Sequence, residues 1–149
     1  MVLSDGVSIP VEATLIFSNQ LMEHLHPDDA REQLENVFKA LLSGGRYFCI
    51  TPNRLNLPHD VSRGIDAVAR GFHLHEYTYV ELDRLFKDVG FTRTRALIRV
   101  RGRQFEAPTW LLATFERAIT ALPSRLRYRV ASLPVVRRLL DVMLIGIRD

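Results

Sequence analysis

The chain has 149 residues, 47% of them hydrophobic and 25% charged, which are the values of a single globular domain and not those of a disordered chain. Its apolar runs are too short to cross a membrane as a helix. The net charge of +3 is uneven, since residues 1–90 carry 8 Lys or Arg and 13 Asp or Glu, whereas residues 91–149 carry 12 Arg and 4 Asp or Glu. A basic half can serve contact with an anionic substrate, a phospholipid surface or nucleic acid, but a solvated arginine-rich surface is the interpretation we favour.

The one cysteine, Cys49, lies in a predicted buried strand, so no disulfide can form within the chain. The first residues lack the basic-then-apolar pattern of a secretory signal peptide. Both features favour a reducing, cytoplasmic setting.

The first strong pattern is an apolar run, Ala13–Phe17, that leads into a polar segment and then a helix. Such a run predicts a strand buried on both faces, as in a parallel sheet. The polar segment carries hydrogen-bonding and titratable side chains: Ser18, Asn19, Gln20, Glu23, His24 and His26. Because ligands bind at the carboxyl ends of strands in open α/β sheets, these side chains are well placed for chemistry. The alternative is a polar loop that caps the following helix.

A helix is predicted directly after this segment. Pro27 suits its first turn, Asp28 and Asp29 suit its positive end, and Gly44 suits its C-terminus. Its apolar face repeats at helical spacing: Ala30, Leu34, Val37, Phe38 and Leu41. Arg46–Thr51 is the next predicted strand.

Together these segments resemble the small-molecule, type 11-like branch of the class I S-adenosylmethionine-dependent methyltransferases. The resemblance rests on Ser18–Leu25, which includes Leu-Met-Glu-His-Leu, and on Gly44–Asn53, which includes Gly-Gly-Arg-Tyr. These pieces match the family's fourth strand with its helix, and its fifth strand. The resemblance implies a three-layer, Rossmann-like α/β fold with a mostly parallel sheet, ordered 3-2-1-4-5-7-6, and a terminal antiparallel strand.

The resemblance also implies S-adenosylmethionine as the cofactor. Asp5 and Gly6 match the end of the family's third strand and would contact the adenine, unless they form a plain turn. The cofactor side would be lined by three residues: Ser18, Asn19 and Gln20. We expect His24 to act as a base or to orient the acceptor, because an imidazole titrates near neutral pH; its alternative role is to cap or pack the helix.

Residues 53–76 are long for a connection within a domain, and connections of this length are often functional. Because they follow a strand's carboxyl end, we expect a lip over the substrate, with four residues on the substrate side: Glu23, Asn53, His59 and His73. His73 and His75 suggest metal ligands, but neither a cysteine nor a paired acidic residue accompanies them at a recognised spacing. The sequence therefore predicts no metal site.

The remaining elements are predicted from local patterns. The capping box Thr78–Glu81 begins a helix that Gly90 closes. Arg93–Arg101 alternates apolar residues with arginine, as a strand with one solvent-facing side does. Residues 104–140 form a second insertion with a helical stripe: Leu111, Phe115, Ala118, Ile119 and Leu122. We favour helices packed on the domain over a membrane-touching segment. Val142–Ile147 is predicted as a strand flanked on both sides.

The sequence matches only the second part of the family fold. It contains neither the Gly-rich loop that the family uses for the methionine moiety nor the acidic residue that binds the ribose. We therefore expect residues 1–149 to form one N-terminally truncated methyltransferase domain whose fourth strand becomes a sheet edge.

Two functions of different class stay open. The first is methyl transfer to a small-molecule, lipid-linked or sugar-linked acceptor, with the missing half encoded upstream or supplied by another chain. The second is a non-catalytic remnant that acts as an interaction module or as half of a split enzyme.

Both interpretations predict that this chain alone does not bind S-adenosylmethionine with useful affinity, since half a pocket offers few contacts against the cost of association. An exposed edge around Thr14–Phe17 predicts self-association or a complementing N-terminal chain. We expect no nucleic-acid partner, and we favour a small-molecule acceptor over contact with a membrane surface.

Overall fold

The computed structural model describes residues 12–56, 73–100 and 102–149. These residues form a five-stranded sheet and five helices, in the order β1 Ala13–Asn19, α1 Pro27–Ala40, β2 Leu41–Thr51, α2 Tyr79–Val89, β3 Arg93–Val100, β4 Arg103–Pro108, α3 Thr109–Thr120, α4 Ser124–Ala131, α5 Pro134–Leu140 and β5 Val142–Ile147. Short 3-10 turns, Met22–His24 and Arg54–Asn56, follow β1 and β2.

The strands lie in the order β1-β2-β5-β3-β4. Strands β1 and β2 are parallel, whereas β5 runs antiparallel to both β2 and β3, and β4 runs antiparallel to β3. The first four strands follow the predicted 4-5-7-6 order, and the interior position of β5 is confirmed. The predicted antiparallel strand is β5, which reverses direction between its two neighbours. The β3–β4 hairpin, which the sequence did not predict, adds a further antiparallel pair, so the described sheet is mixed and β1–β2 is its one parallel pair.

Strand β1 lies at one edge of the described sheet. Its side chains Leu15 and Phe17 are 60% and 61% exposed. The predicted edge position is therefore confirmed within these residues, whereas the prediction of burial on both faces is wrong. An apolar run indicates which residues favour burial, but the neighbouring elements decide whether they are covered.

The boundary between α1 and β2 differs from the prediction at Gly44. Helix α1 ends at Ala40, and the chain enters β2 at once. Gly44 has φ +77°, and its N–H donates to the carbonyl of Arg148 at 2.7 Å. The strand register shifts here between Leu41 and Arg46. Gly44 therefore lies at an irregularity inside β2, where the backbone needs a positive φ. It does not end helix α1.

Helices α1, α2 and α3 pack against one face of the sheet. The main core joins their apolar residues to alternate strand residues: Ala30, Leu34, Val37, Leu82, Phe86, Leu112, Ala113, Tyr47, Cys49, Ala96 and Leu144. A second cluster, built from Leu97, Met143 and Ile145, draws only on strand residues within the described chain. Leu144 belongs to the main core and Ile145 to the second cluster. Because successive strand residues point to opposite faces, the two clusters lie on opposite faces of the sheet. The described residues therefore supply two layers, and the third layer stays a prediction.

The signals at both ends of α2 are confirmed. The hydroxyl of Thr78 accepts the Glu81 N–H, and the Glu81 carboxylate accepts the Thr78 N–H, which completes the capping box. Gly90 follows the helix with φ +125°. No helix in the described part of the chain is long and apolar enough to span a bilayer.

The predicted insertion over 104–140 begins as a strand. Residues Arg103–Pro108 pair antiparallel with β3 after Gly102, which has φ +78°. Helix α3 begins only at Thr109, and α4 and α5 follow. The three helices share a small apolar cluster, so they pack on the domain as favoured from the sequence.

The predicted apolar stripe of α3 is wrong in part. Leu111 and Ala118 are exposed, whereas Leu112, Glu116 and Ile119 are buried. The buried face of α3 therefore differs from the predicted one. It includes Glu116, whose carboxylate accepts hydrogen bonds from backbone N–H groups at the start of α2. The spacing of apolar residues along a helix gives no indication of a buried carboxylate of this kind.

We expect the Cys49 thiol to be inert in the native protein. Its side chain is fully buried beneath the helices, and desolvation raises the pKa of the thiol to about 12. The thiolate is the reactive species, so very little of it is present at pH 8. A disulfide reagent that releases a coloured thiol should react slowly with the native chain and at once in denaturant. Full labelling of the native chain within minutes would contradict this burial.

Candidate functional site

The turn after β1 sets the orientation of Glu23 and His24. Gln20 has φ +55°, and its N–H donates to the carbonyl of Ile50 at 2.9 Å. A 3-10 turn follows, in which the His24 N–H donates to the carbonyl of Leu21 at 3.0 Å. This tight turn buries Glu23 completely and leaves the His24 side chain 42% exposed. One residue thus faces the protein interior and the next faces solvent.

The segment that begins at His73 returns to this turn. The Leu74 N–H donates to the carbonyl of Glu23 at 2.6 Å, and the His75 N–H donates to the same oxygen at 3.2 Å. The rings of His24 and His73 meet edge to face, with centroids 4.9 Å apart. The chain thereby brings together residues that are distant in sequence at the carboxyl end of β1.

Four titratable side chains meet here, and we call Glu23, His24, His73 and Glu76 the titratable cluster. The Glu23 Oε2 atom accepts a hydrogen bond from the Thr51 hydroxyl at 2.9 Å. Its Oε1 atom has no hydrogen-bond partner among the described residues and lies 3.9 Å from His24 Nε2. An unmet buried acceptor costs about 1–3 kcal/mol, and more when it is charged. The cluster is therefore held in place at an energetic cost.

The predicted cofactor-side residues lie at or just beyond the end of β1. The hydroxyls of Ser18 and Tyr47 are 2.6 Å apart, so Ser18 is half-buried beside the core. Asn19 and Gln20 are exposed. Three other predicted site residues lie outside the described residues: Asp5, Gly6 and His59. The cofactor roles of all these positions stay predictions.

Asn53, predicted on the substrate side, belongs to a buried polar anchor. Its Nδ2 donates to Glu116 Oε1 at 2.6 Å, and its Oδ1 accepts from the Leu55 N–H at 2.8 Å. Glu116 also accepts from the N–H groups of Tyr79 and Val80, at 3.0 and 3.2 Å. Burial raises the pKa of Glu116, while these donors act in the opposite direction. In this structure Asn53 helps to tie α3 to the start of α2, and its substrate-side role stays a prediction.

A groove of about 720 Å³ lies near this anchor. Its walls come from the turn at Arg54, the start of α2, and helices α3 and α4. The charged residues that line its rim and floor are Arg54, Glu81, Glu116, Arg117 and Arg127. Both predicted insertions, 53–76 and 104–140, thus contribute to one concave surface.

Sequence reasoning missed Thr51, Glu76 and Glu116. A signal was present for two of them, since Thr51 ends a predicted strand beside Asn53, and Glu76 stands three residues after His73. Glu116 carried no signal, because a single acidic residue on a helix is most often exposed.

No family model matches the chain, and no curated protein matches it in sequence. Among solved structures, PigF with SAH is similar with a TM-score of 0.45 and 22% sequence identity. The match covers 66% of this chain and 30% of the PigF chain. The chain therefore spans less than a third of the length of that protein.

Proposed function

We propose that the chain is the C-terminal part of an S-adenosylmethionine-dependent methyltransferase that acts on a small-molecule, lipid-linked or sugar-linked acceptor. The observation that carries the proposal is the strand order β1-β2-β5-β3, with antiparallel β5 between β2 and β3. This is the order that the sequence resemblance implies for the second part of the fold. Polar residues at the carboxyl ends of β1 and β2 add support, because ligands bind there in open α/β sheets.

In the proposed enzyme, the end of β1 serves the cofactor and the titratable cluster serves the acceptor. Methyl transfer is an in-line displacement, so positioning supplies much of the rate. Asn19 and Gln20 are exposed at the strand end, where they line the cofactor side. His24 is the member of the cluster that reaches solvent, and it orients the acceptor or accepts its proton.

The groove between the two insertions is the proposed acceptor surface. Three arginines line it, Arg54, Arg117 and Arg127, and guanidinium groups suit carboxylate and phosphate partners. Glu81 and Glu116 also line the groove, and Arg54 is paired with Glu81 at 2.9 Å. An anionic group of the acceptor would therefore bind beside Arg117 and Arg127. The remaining cofactor contacts, to the methionine end and the ribose, come from a segment that this sequence does not contain.

A second candidate function is that of an interaction module. The exposed Leu15 and Phe17 on the edge strand favour it, because unpaired strand edges recruit further strands. A cavity of about 300 Å³ on the same face is lined mainly by apolar residues, among them Phe17, Phe48, Leu97 and Met143, together with Arg99 and Gln104. A complementing N-terminal chain or a second copy of this chain would cover this face.

Calorimetry with S-adenosylhomocysteine tests the methyltransferase proposal. We expect no binding at micromolar concentration by this chain alone, and one-to-one binding once it is joined to the polypeptide that the preceding reading frame encodes. In the joined protein, Asn19→Trp should abolish binding, because the indole would fill the cofactor side. The matched control Asn36→Trp, at an exposed position of α1, should leave binding unchanged.

Three outcomes would count against the proposal. Failure of the joined protein to bind would overturn the methyltransferase function. Stop codons throughout the preceding frame, together with concentration-dependent self-association in sedimentation, would favour the interaction module. Stoichiometric binding by a monomer of this chain alone would overturn both the incomplete pocket and the edge-strand argument.

A further inference from the structure

We propose that Glu23, His24 and His73 form a binding site for one divalent transition-metal ion of the Zn²⁺ type. They offer a carboxylate oxygen and two imidazole nitrogens, all within 4.8 Å of one another. Two histidines and one glutamate are a donor set that zinc sites use when the fourth position is left to water or substrate. The sequence spacing predicted no metal, because the ligands come from two segments that only the fold brings together.

The unmet oxygen of Glu23 is a second, independent observation that points to a cation. This side chain is fully buried, and its Oε2 is fixed by the hydroxyl of Thr51 at 2.9 Å. Its Oε1 has no hydrogen-bond partner among the described residues. A buried carboxylate requires a compensating partner, and a cation between Glu23 and the histidines supplies one.

The environment of His73 is that of a metal ligand. Its Nδ1 lies 2.8 Å from Glu76 Oε1, and both side chains are buried. A carboxylate that accepts the Nδ1 proton sets the tautomer, so that Nε2 is the basic nitrogen. This carboxylate–histidine pair is the arrangement that orients ligating imidazoles in metalloproteins. The backbone bond from Leu74 to the Glu23 carbonyl fixes the two ligand segments together.

The three ligand atoms lie within 4.8 Å of one another, so closing around an ion shortens their separations by at most about 1.5 Å. With Zn–N distances of about 2.0–2.1 Å, ligand atoms in a tetrahedral shell lie about 3.3 Å apart. Glu23 Oε1 and His24 Nε2 are 3.9 Å apart. The His24 side chain is 42% exposed, and its exposed side gives the ion access from solvent.

Metal binding at this site does not depend on the methyltransferase proposal. Its consequence for catalysis does rest on that proposal: a bound ion takes His24 as a ligand and leaves one position for an oxygen of the acceptor. A divalent ion lowers the pKa of an oxygen that it binds, so the acceptor would be activated by the ion and not by the imidazole of His24.

Titration of the metal-free chain with Zn²⁺ by calorimetry, and with Co²⁺ by visible spectroscopy, tests the site. We expect one ion per chain with micromolar or tighter affinity, and Co²⁺ bands of the intensity that four-coordinate sites give. Because outer-shell partners alone change metal affinity by about 10- to 100-fold, Glu23→Gln and His73→Gln should weaken binding by at least about 100-fold, and Thr51→Val by about 10-fold.

The matched control is His75→Gln, two residues from His73, whose ring lies against Tyr77 with centroids 4.6 Å apart. It should leave affinity and stoichiometry unchanged, and circular dichroism should show the same fold for every variant. Absence of saturable binding by the unmodified chain would overturn the site. So would binding that His75→Gln weakens as much as His73→Gln does. The metal titrations contain no S-adenosylhomocysteine, so their outcome does not depend on whether the protein binds that cofactor product.

Discussion

Replacing Glu116 with Ala is expected to lower the free energy of unfolding by about 3–5 kcal/mol, because two buried donors and one half-buried donor lose their acceptor and an unmet buried donor costs about 1–3 kcal/mol. The donors are the Asn53 amide and the N–H groups of Tyr79 and Val80. The two backbone groups belong to the first turn of α2, whose N–H groups have no partner within the helix. Urea unfolding monitored by circular dichroism measures the change.

Two further variants bracket this effect. Glu116→Gln keeps the shape and one acceptor oxygen, so we expect a loss about half as large as that of the alanine variant. Glu106→Ala removes an exposed partner of Arg46 and should cost less than about 1 kcal/mol. Equal losses for Glu116→Ala and Glu106→Ala would show that the anchor between α3 and α2 does not stabilise the fold.

Replacing Gly146 with Val is expected to destabilise the protein by at least about 3 kcal/mol, at the upper end of the overpacking range. A Cβ at this position would lie 2.7 Å from ring atoms of both Phe86 and Phe91. Both rings are fully buried, and the Gly146 backbone is paired on both sides, with Tyr47 and Thr94. Neither the strand nor the rings can yield without disturbing the core, and thermal unfolding should show a lower midpoint.

A double-mutant cycle identifies the cause of this loss. Gly146→Ala alone should cost about 1–3 kcal/mol, and Phe86→Leu alone should also destabilise, through the lost ring. Together they should cost less than the sum, because the smaller side chain makes room for the new methyl group. Strictly additive losses would show that the aromatic rings do not restrict this glycine.

Elements with strong local signals were predicted well. The proline and acidic residues at the start of α1, and the capping box and Gly90 of α2, depend on hydrogen bonds within a few residues. The continuous apolar run of β5 predicted an interior strand, because such runs are typical of strands whose side chains are buried on both faces of a sheet. Of the candidate site, the sequence indicated the polar segment from Ser18 to His26, and the functional roles of its residues stay predictions.

The predictions were wrong where the structure of one segment depends on contacts with a segment that is distant in the sequence. Gly44 was assigned to a helix end because helices often end in glycine, but its N–H is met by Arg148 from the far end of the chain. The orientation of α3 depends on a carboxylate that reaches the start of α2. Strand β4 was missed because its pairing with β3, and not its own pattern, defines it.

The amino-acid sequence by itself determined the starts of α1 and α2 and the polar segment after β1, since these follow from contacts between neighbours in the chain. The continuous apolar run of β5 was enough to indicate an interior strand. Only the tertiary structure decided that Leu15 and Phe17 of β1 are exposed within the described residues, because burial requires a covering element. It alone brought His73 and Glu76 to Glu23 and His24, through backbone bonds from Leu74 and His75 to one carbonyl. The proposed metal ligands come from two separate segments, so no fixed spacing in the sequence indicates them. They come together only when the chain folds.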